Sequence, residues 1–227
     1  MKINDIDVST FGGRQWNVTP GFVTVKNNSE WVAGAPTPSL TDSYIQMASL
    51  KVAILIRGNS RDEILLKCSN LIAQLMSPVT IELDGFTRQF VGAVSKWDLT
   101  ESSRKRFHLL TIEASGYWED VTEFDDYCYG PVTNPGNLRT PVRIVFLVSE
   151  NTDLLTITGA GADITVSDVE VGDWISLNGQ TGVFTINDQV DDRINAWELP
   201  TLAPGNNEII ILPAAEFLTL KFRPRYV

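Results

Sequence analysis

Few side chains in this 227-residue chain have types that could do covalent or metal chemistry, and their spacing argues against most of it. There is one histidine, His108, and there are two cysteines, Cys68 and Cys128. A Ser-His-Asp or Cys-His site would have to be built on His108, which falls in a strand-like run, and no activating spacing surrounds Cys68. A zinc site needs a convergent set of His, Cys or carboxylate ligands, and these dispersed residues do not supply one. Free thiols are expected, with a disulfide between the two cysteines left open. Gly159-Ala160-Gly161-Ala162 lacks the Lys-Ser/Thr and the helix start of a phosphate loop. Glycoside hydrolysis needs two facing carboxylates. The adjacent pairs Asp125-Asp126 and Asp191-Asp192 read instead as turn acids, and neighbours on a strand would point to opposite faces. Asp188, Asp191 and Asp192 could offer oxygens to calcium, but at a spacing that fits no known loop. No catalytic residue, metal or cofactor is therefore expected.

Sugar binding asks for less: an exposed aromatic to stack on and flanking polar groups. Trp174 in DWISL and Trp197 in NAWEL are the candidates. Both sit in strand-like segments, where a large aromatic normally fills a core, so core placement is expected for each. A carbohydrate-binding module recognising cell-wall glycans is the alternative reading if either is exposed.

The elements that would position these residues differ between the two halves. In the first, Asn59-Ser60-Arg61-Asp62-Glu63 reads as a capping box, and Ile64, Leu65, Cys68, Leu71, Ile72 and Leu75 follow as an apolar helical stripe that ends at Ser77-Pro78. Such a helix must pack on a sheet. Leu50–Arg57 leads into it, and VTIEL, Asp84-Gly85 and FTRQFVGAV follow as a hairpin with Leu83 opposite Phe86 and Ile81 opposite Arg88. Phe107–Ala114 is a further strand ending at Gly116-Tyr117-Trp118. Residues 27–49 read as a long loop carrying Trp31, Tyr44 and Met47; unpacked aromatics in such an arm suggest a covering neighbour, and these three are the subunit-interface candidates.

Tyr129 to Pro141 is rich in turn formers and reads as a linker, giving domains 1–135 and 136–227. Beyond it, turn signals recur between short strand-like runs, the pattern of a β-sandwich. The expected strands are Val142–Val148, Leu154–Thr158, Asp163–Val166, Asp173–Leu177, Gly182–Ile186, Ile194–Trp197, Glu208–Leu212 and Phe217–Arg223. Asn178-Gly179 marks a hairpin with more than a two-residue turn.

Composition is that of a globular protein, with 43% hydrophobic and 20% charged residues. No apolar run approaches the roughly 20 residues that span a bilayer. MKINDIDVST lacks the apolar core of a secretory signal, so the protein is expected to be made and kept in a cytoplasm until released. The net charge is −10, and residues 136–227 alone hold 6 Lys and Arg against 12 Asp and Glu. That balance opposes binding to nucleic-acid phosphates. The one basic run, Arg104-Lys105-Arg106, reads as a solvated turn. An acidic wall would still let DNA slide past without sticking.

Several segments together resemble one family. INDIDVSTFGGRQW at residues 3–16, RGNSRDE at the helix start, the hairpin ELDGFTRQFVG and the strand ending GYWED are similar to the N-terminal part of siphophage distal tail proteins. GDWISLNGQTGVFTIND, WELPTLAPGNNEIII and KFRPRYV resemble the C-terminal domain of that family. The resemblance implies a mainly β chain with one helix: a tail-tube-like β-sandwich or barrel body carrying the helix, then a galectin-like, carbohydrate-module-like β-sandwich. It implies a non-enzymatic structural protein of the virion tail tip, assembled in the host cytoplasm. Six copies would close into a ring around a DNA channel, as one ring or two back to back. The implied partners are the tail tube protein, the tail-associated hub or lysin, and a receptor-binding protein.

Overall fold

The computed structural model describes residues 1–21, 23, 25–30, 36–37, 39–76, 78–101, 106–127, 130–213 and 215–227. It divides into two units, Met1–Trp118 (with Val227) and Glu119–Tyr226.

In the first unit, β1 (Lys2–Ile3) and β2 (Ile6–Asp7) make a tight ribbon, and a single 3₁₀ turn at Val8–Phe11 leads into β3 (Gly13–Gly21). The turn is capped by the Asp7 carboxylate, which accepts from the Ser9 N–H at 2.7 Å. β4 (Val25–Glu30) and β5 (Ser39–Ile45) form a separate antiparallel ribbon. β6 (Ala48–Arg57) enters α1 (Arg61–Ala73), and β7 (Val79–Glu82), β8 (Arg88–Glu101) and β9 (Phe107–Asp120) follow. The sheet order is β2-β1-β7-β8-β9-β6-β3.

Period-two burial decides which side of this sheet is core. Leu50, Val52, Ile54 and Ile56 of β6 share a buried face with Leu110 and Ile112 of β9, Ile81 of β7 and Phe90 of β8. The helix closes that face with Ile64, Cys68 and Leu71, and Leu75 follows just beyond its end. Fully burying an aliphatic side chain is worth about 1.5–3 kcal/mol, which is what holds so short a helix. Its start is the expected capping box: Ser60 Oγ accepts from the Glu63 N–H at 3.1 Å, and Glu63 Oε2 accepts from the Asn59 N–H at 2.7 Å. The buried stripe is narrower than expected, because Leu65 is 39% exposed.

Two expectations for this unit change. The Asp84-Gly85 turn forms, with the Phe86 N–H donating to the Leu83 carbonyl, but pairing starts at Glu82↔Gln89 and puts Ile81 opposite Phe90. The two-residue slip keeps every face, since the side-chain period is two, and replaces the Ile81–Arg88 pairing with two buried apolar side chains. Residues 27–49 are not a loop throughout, because β4 and β5 occupy part of them and β6 begins at Ala48.

The second unit starts earlier than the expected boundary after residue 135. β10 (Phe124–Tyr127) and β11 (Val132–Asn134) pair with strands far ahead in the chain, which makes residues 119–135 part of this unit. Then come β12 (Thr140–Val148), β13 (Thr152–Thr158), β14 (Ile164–Val169), β15 (Trp174–Asn178), β16 (Phe184–Ile186), β17 (Gln189–Val190), β18 (Ile194–Ala196), β19 (Thr201–Leu202), β20 (Gly205–Asn207), β21 (Ile210–Leu212), β22 (Ala215–Phe222) and β23 (Arg225–Tyr226).

A seven-stranded sheet runs β10-β22-β12-β15-β16-β17, with β19 on β12, and a four-stranded sheet runs β18-β14-β13-β21. Ile144, Phe146, Ile175, Leu177 and Leu220 of the first meet Leu155, Ile157, Ile164 and Val166 of the second in one core, so the unit is a β-sandwich. The Asn178 loop is longer than two residues, as expected: Leu177 pairs with Phe184, and Asn178 Oδ1 accepts from the N–H groups of Gln180 and Thr181.

Candidate assembly and ligand-binding surfaces

Among the described residues, those with catalytic potential are not brought together into a reactive site. His108 lies on the buried face of β9, where its Nδ1 lies 2.7 Å from the carbonyl of Phe107 and its Nε2 meets no partner among the described residues. Cys68 is buried on α1, and burial pushes its thiol pKa up, which disfavours the reactive thiolate. Cys128 lies outside the described residues, as does Arg104-Lys105 of the basic run. Asp125-Asp126 is not in a turn but on β10, where Asp125 pairs with Lys221 at 2.7 Å. Asp191 is engaged by Arg193, whose Nη2 is 2.8 Å away; hydrogen bonds from the Arg193 side chain and backbone hold its carboxyl below the usual range. Among the described residues no three His, Cys, Asp or Glu side chains converge as a metal site would require.

In the first unit the helix covers one face of the sheet, and the other face carries exposed and half-buried positions. A depression of about 530 Å³ there is lined by Trp16, Asn17 and Thr19 of β3, Lys51 and Ala53 of β6, and Leu109 and Thr111 of β9. Trp16 is 58% exposed, with the Arg14 guanidinium 5.5 Å from its ring. The β4–β5 ribbon adds exposed Val25 and Ile45, and Met47 follows it at 73% exposure. Of the expected interface candidates, Met47 is thus on the surface. Tyr44 lies on β5 opposite Lys26, its side chain outside the described residues, and Trp31 lies outside them altogether.

In the second unit neither tryptophan is in the core. Ile175 and Leu177 face inward from β15, so alternation sends Trp174 to the outer face. Ile194 and Ala196 pack inward from β18, and Trp197 beyond them is 87% exposed. Trp174 is on the seven-stranded sheet, whereas Trp197 follows the end of a strand of the four-stranded one. Trp174 forms one wall of a groove of about 590 Å³ on the outer face of the seven-stranded sheet. Tyr127 and Asp125 line it from β10, Thr219 and Lys221 from β22, and Arg143 and Val145 from β12. The strand pairing builds this patch: Arg143 is opposite Lys221, Val145 is opposite both Thr219 and Ser176, and Leu147 is opposite Trp174. A smaller pocket of about 130 Å³ shares Arg143 and Lys221 and reaches Arg223 and Arg225, which lie 3.9 and 3.8 Å from the buried Glu119 carboxylate.

By sequence the chain matches no protein-family profile and no curated protein. Its structure does match. The Dit protein of phage SPP1, described as a paradigm of the hub adsorption apparatus in phages that infect Gram-positive bacteria, superposes with a TM-score of 0.74 at 14% identity, over 99% of this chain and 98% of that one. The chain has the phage Dit hub fold. Chains of the phage P2 baseplate in its activated conformation are similar more loosely, with TM-scores of 0.55 (with Ca) and 0.57 (with Sr) at 11% and 10% identity. Each match covers 96% of this chain and 92% of the baseplate chain, so the likeness extends over both units. Within it, sequence reasoning missed Arg143, Tyr127 and Lys221. The available signal was β12, whose outward positions Arg143, Val145 and Leu147 are too apolar for a bare sandwich face.

Proposed function

We propose that this chain is a structural distal tail protein of a siphophage, a non-enzymatic adaptor at the tail tip. The observation that carries the reading is the similarity to the SPP1 Dit hub over nearly the whole of both chains. In this reading the first unit is the ring-forming, tail-tube-like body, and six copies close head to tail around a channel. A ring of that kind needs two different patches per subunit. The sheet face around Trp16 and the β4–β5 ribbon with Met47 are two such patches. The tube protein and the tail-associated hub or lysin dock on the two faces of the ring. The second unit, a galectin-like sandwich, projects outward to the receptor-binding protein. The net charge of −10 suits a channel that DNA traverses without adhering.

Native mass measurement of the purified chain tests this. A species of six 25.2 kDa subunits, or twice that for rings back to back, is expected. A strictly monomeric protein at high concentration that joins neither tube nor hub components overturns it. A free-standing carbohydrate module is favoured only by the exposure of Trp174 and Trp197, and it leaves the sheet of the first unit without a purpose.

A further inference from the structure

The geometry of the second unit points to a binding site for an acidic saccharide, a sugar unit carrying a carboxylate or phosphate, on the outer face of the seven-stranded sheet. The sugar stacks against Trp174, and its anionic group is held by Arg143.

The face has the size and the walls for a saccharide. β10, β22, β12 and β15 are adjacent, and at about 4.8 Å per strand the patch is roughly 14 Å across. Trp174 and Tyr127 stand on strands at opposite sides of it, 38% and 60% exposed, and present ring surface to a ligand. Val145 points away from the core yet is only 6% exposed, because the side chains around it form a walled groove rather than a flat sheet. Apolar walls with a few convergent polar groups are the ordinary make-up of a small-ligand site.

Charge selects the ligand class. Lys221 in the same groove is neutralised by Asp125, and Arg223 and Arg225 nearby face Glu119. Arg143 differs. Its Nε donates to the neutral Ser176 Oγ at 3.1 Å, and among the described residues it makes no ion pair. One N–H of a guanidinium fork is thus spent on fixing its orientation, while the rest of the fork stays available. Carboxylates and phosphates are the groups that such a fork holds through two parallel hydrogen bonds. In a chain of net charge −10, a cation without a carboxylate partner inside an aromatic-walled groove is the feature that calls for an anion.

The groove lies wholly within residues 119–226, so the inference stands or falls separately from ring formation. Calorimetry on the full chain tests it with trigalacturonate, its methyl ester, glucose 6-phosphate, glucose and a hexaglutamate peptide as probes. Binding of trigalacturonate or glucose 6-phosphate is expected, at least ten-fold tighter than the uncharged counterpart. Arg143→Gln should abolish that preference, and Trp174→Ala should weaken binding at least ten-fold. Trp174→Tyr, which keeps a stacking ring, should restore most of it, and Trp197→Ala should change nothing. Both substituted side chains point outward, and an unchanged thermal midpoint confirms that each variant is folded. The proposal is overturned if neither charged probe binds, if ester and acid bind alike, or if folded Trp174→Ala or Arg143→Gln binds as the parent does. Equal binding of hexaglutamate overturns it in favour of an acidic peptide.

Discussion

Asn134 shows how much one side chain contributes here. It is 1% exposed, in a stretch whose Pro, Gly and Asn content resembles a linker. Its Oδ1 accepts from the Gly136 N–H at 3.0 Å, and its Nδ2 lies 3.2 Å from Thr140 Oγ1 and 3.3 Å from the Ala203 carbonyl. The amide therefore ties the start of the second unit to the loop after β19. Turn-forming composition reports local conformation only, and nothing in it tells a solvated linker from one stitched down by a buried amide. Asn134→Ala leaves the Gly136 N–H without that acceptor, while the Ala203 carbonyl keeps Asn207 Nδ2 and Thr140 Oγ1 keeps the Leu138 carbonyl and the Arg225 N–H, so the cost is about 1–3 kcal/mol. The expected result is a lower urea midpoint with an unchanged slope. A midpoint equal to that of the parent chain would show that the network adds nothing.

At the scale of elements, the long pairing of β8 with β9 depends on two glycines. A Cβ on Gly116 would sit 2.0 Å from the Val91 carbonyl oxygen and 2.7 Å from Gly92 Cα, and one on Gly92 would sit 2.2 Å from the Ser115 carbonyl oxygen. The obstructing atoms are backbone, so no rotamer change relieves them. Gly116→Ala should therefore destabilise the first unit by about 1–3 kcal/mol, as overpacking does, read as a lower thermal midpoint. An unchanged midpoint would refute the close approach. β9 runs through Gly116-Tyr117-Trp118 to Asp120, past the expected strand end. Trp118 then packs edge-on to Phe90 at 5.2 Å and stacks on Phe86 at 5.6 Å. The helix was legible because cap and stripe are local signals. The hairpin register was not, because a two-residue slip leaves the alternation pattern unchanged and only partner packing tells the two apart.

For the whole molecule, the β4–β5 ribbon is the informative part. It pairs with no other described strand, and a two-stranded ribbon alone is marginal in water, so in the ring proposed above a neighbouring subunit would support it. Deleting residues 26–44 should leave a folded monomer and abolish the assembly, as sizing with light scattering would show. Assemblies of unchanged mass after the deletion would remove the ribbon from the interface. The sequence by itself settled the class of the protein: mostly β with one helix, and a strand-only second half. Those properties are written in alternation, caps and residue inventory, all of which act over a few neighbours. Only the tertiary structure decided that the second unit begins at Glu119, that Trp174 and Trp197 face outward, and that Arg143 joins Trp174 in a groove. Each of these depends on which strand lies beside which. Four strands drawn from residues 124 to 222 must pair before Asp125, Arg143, Trp174 and Lys221 become neighbours, and a linear pattern carries no record of that pairing.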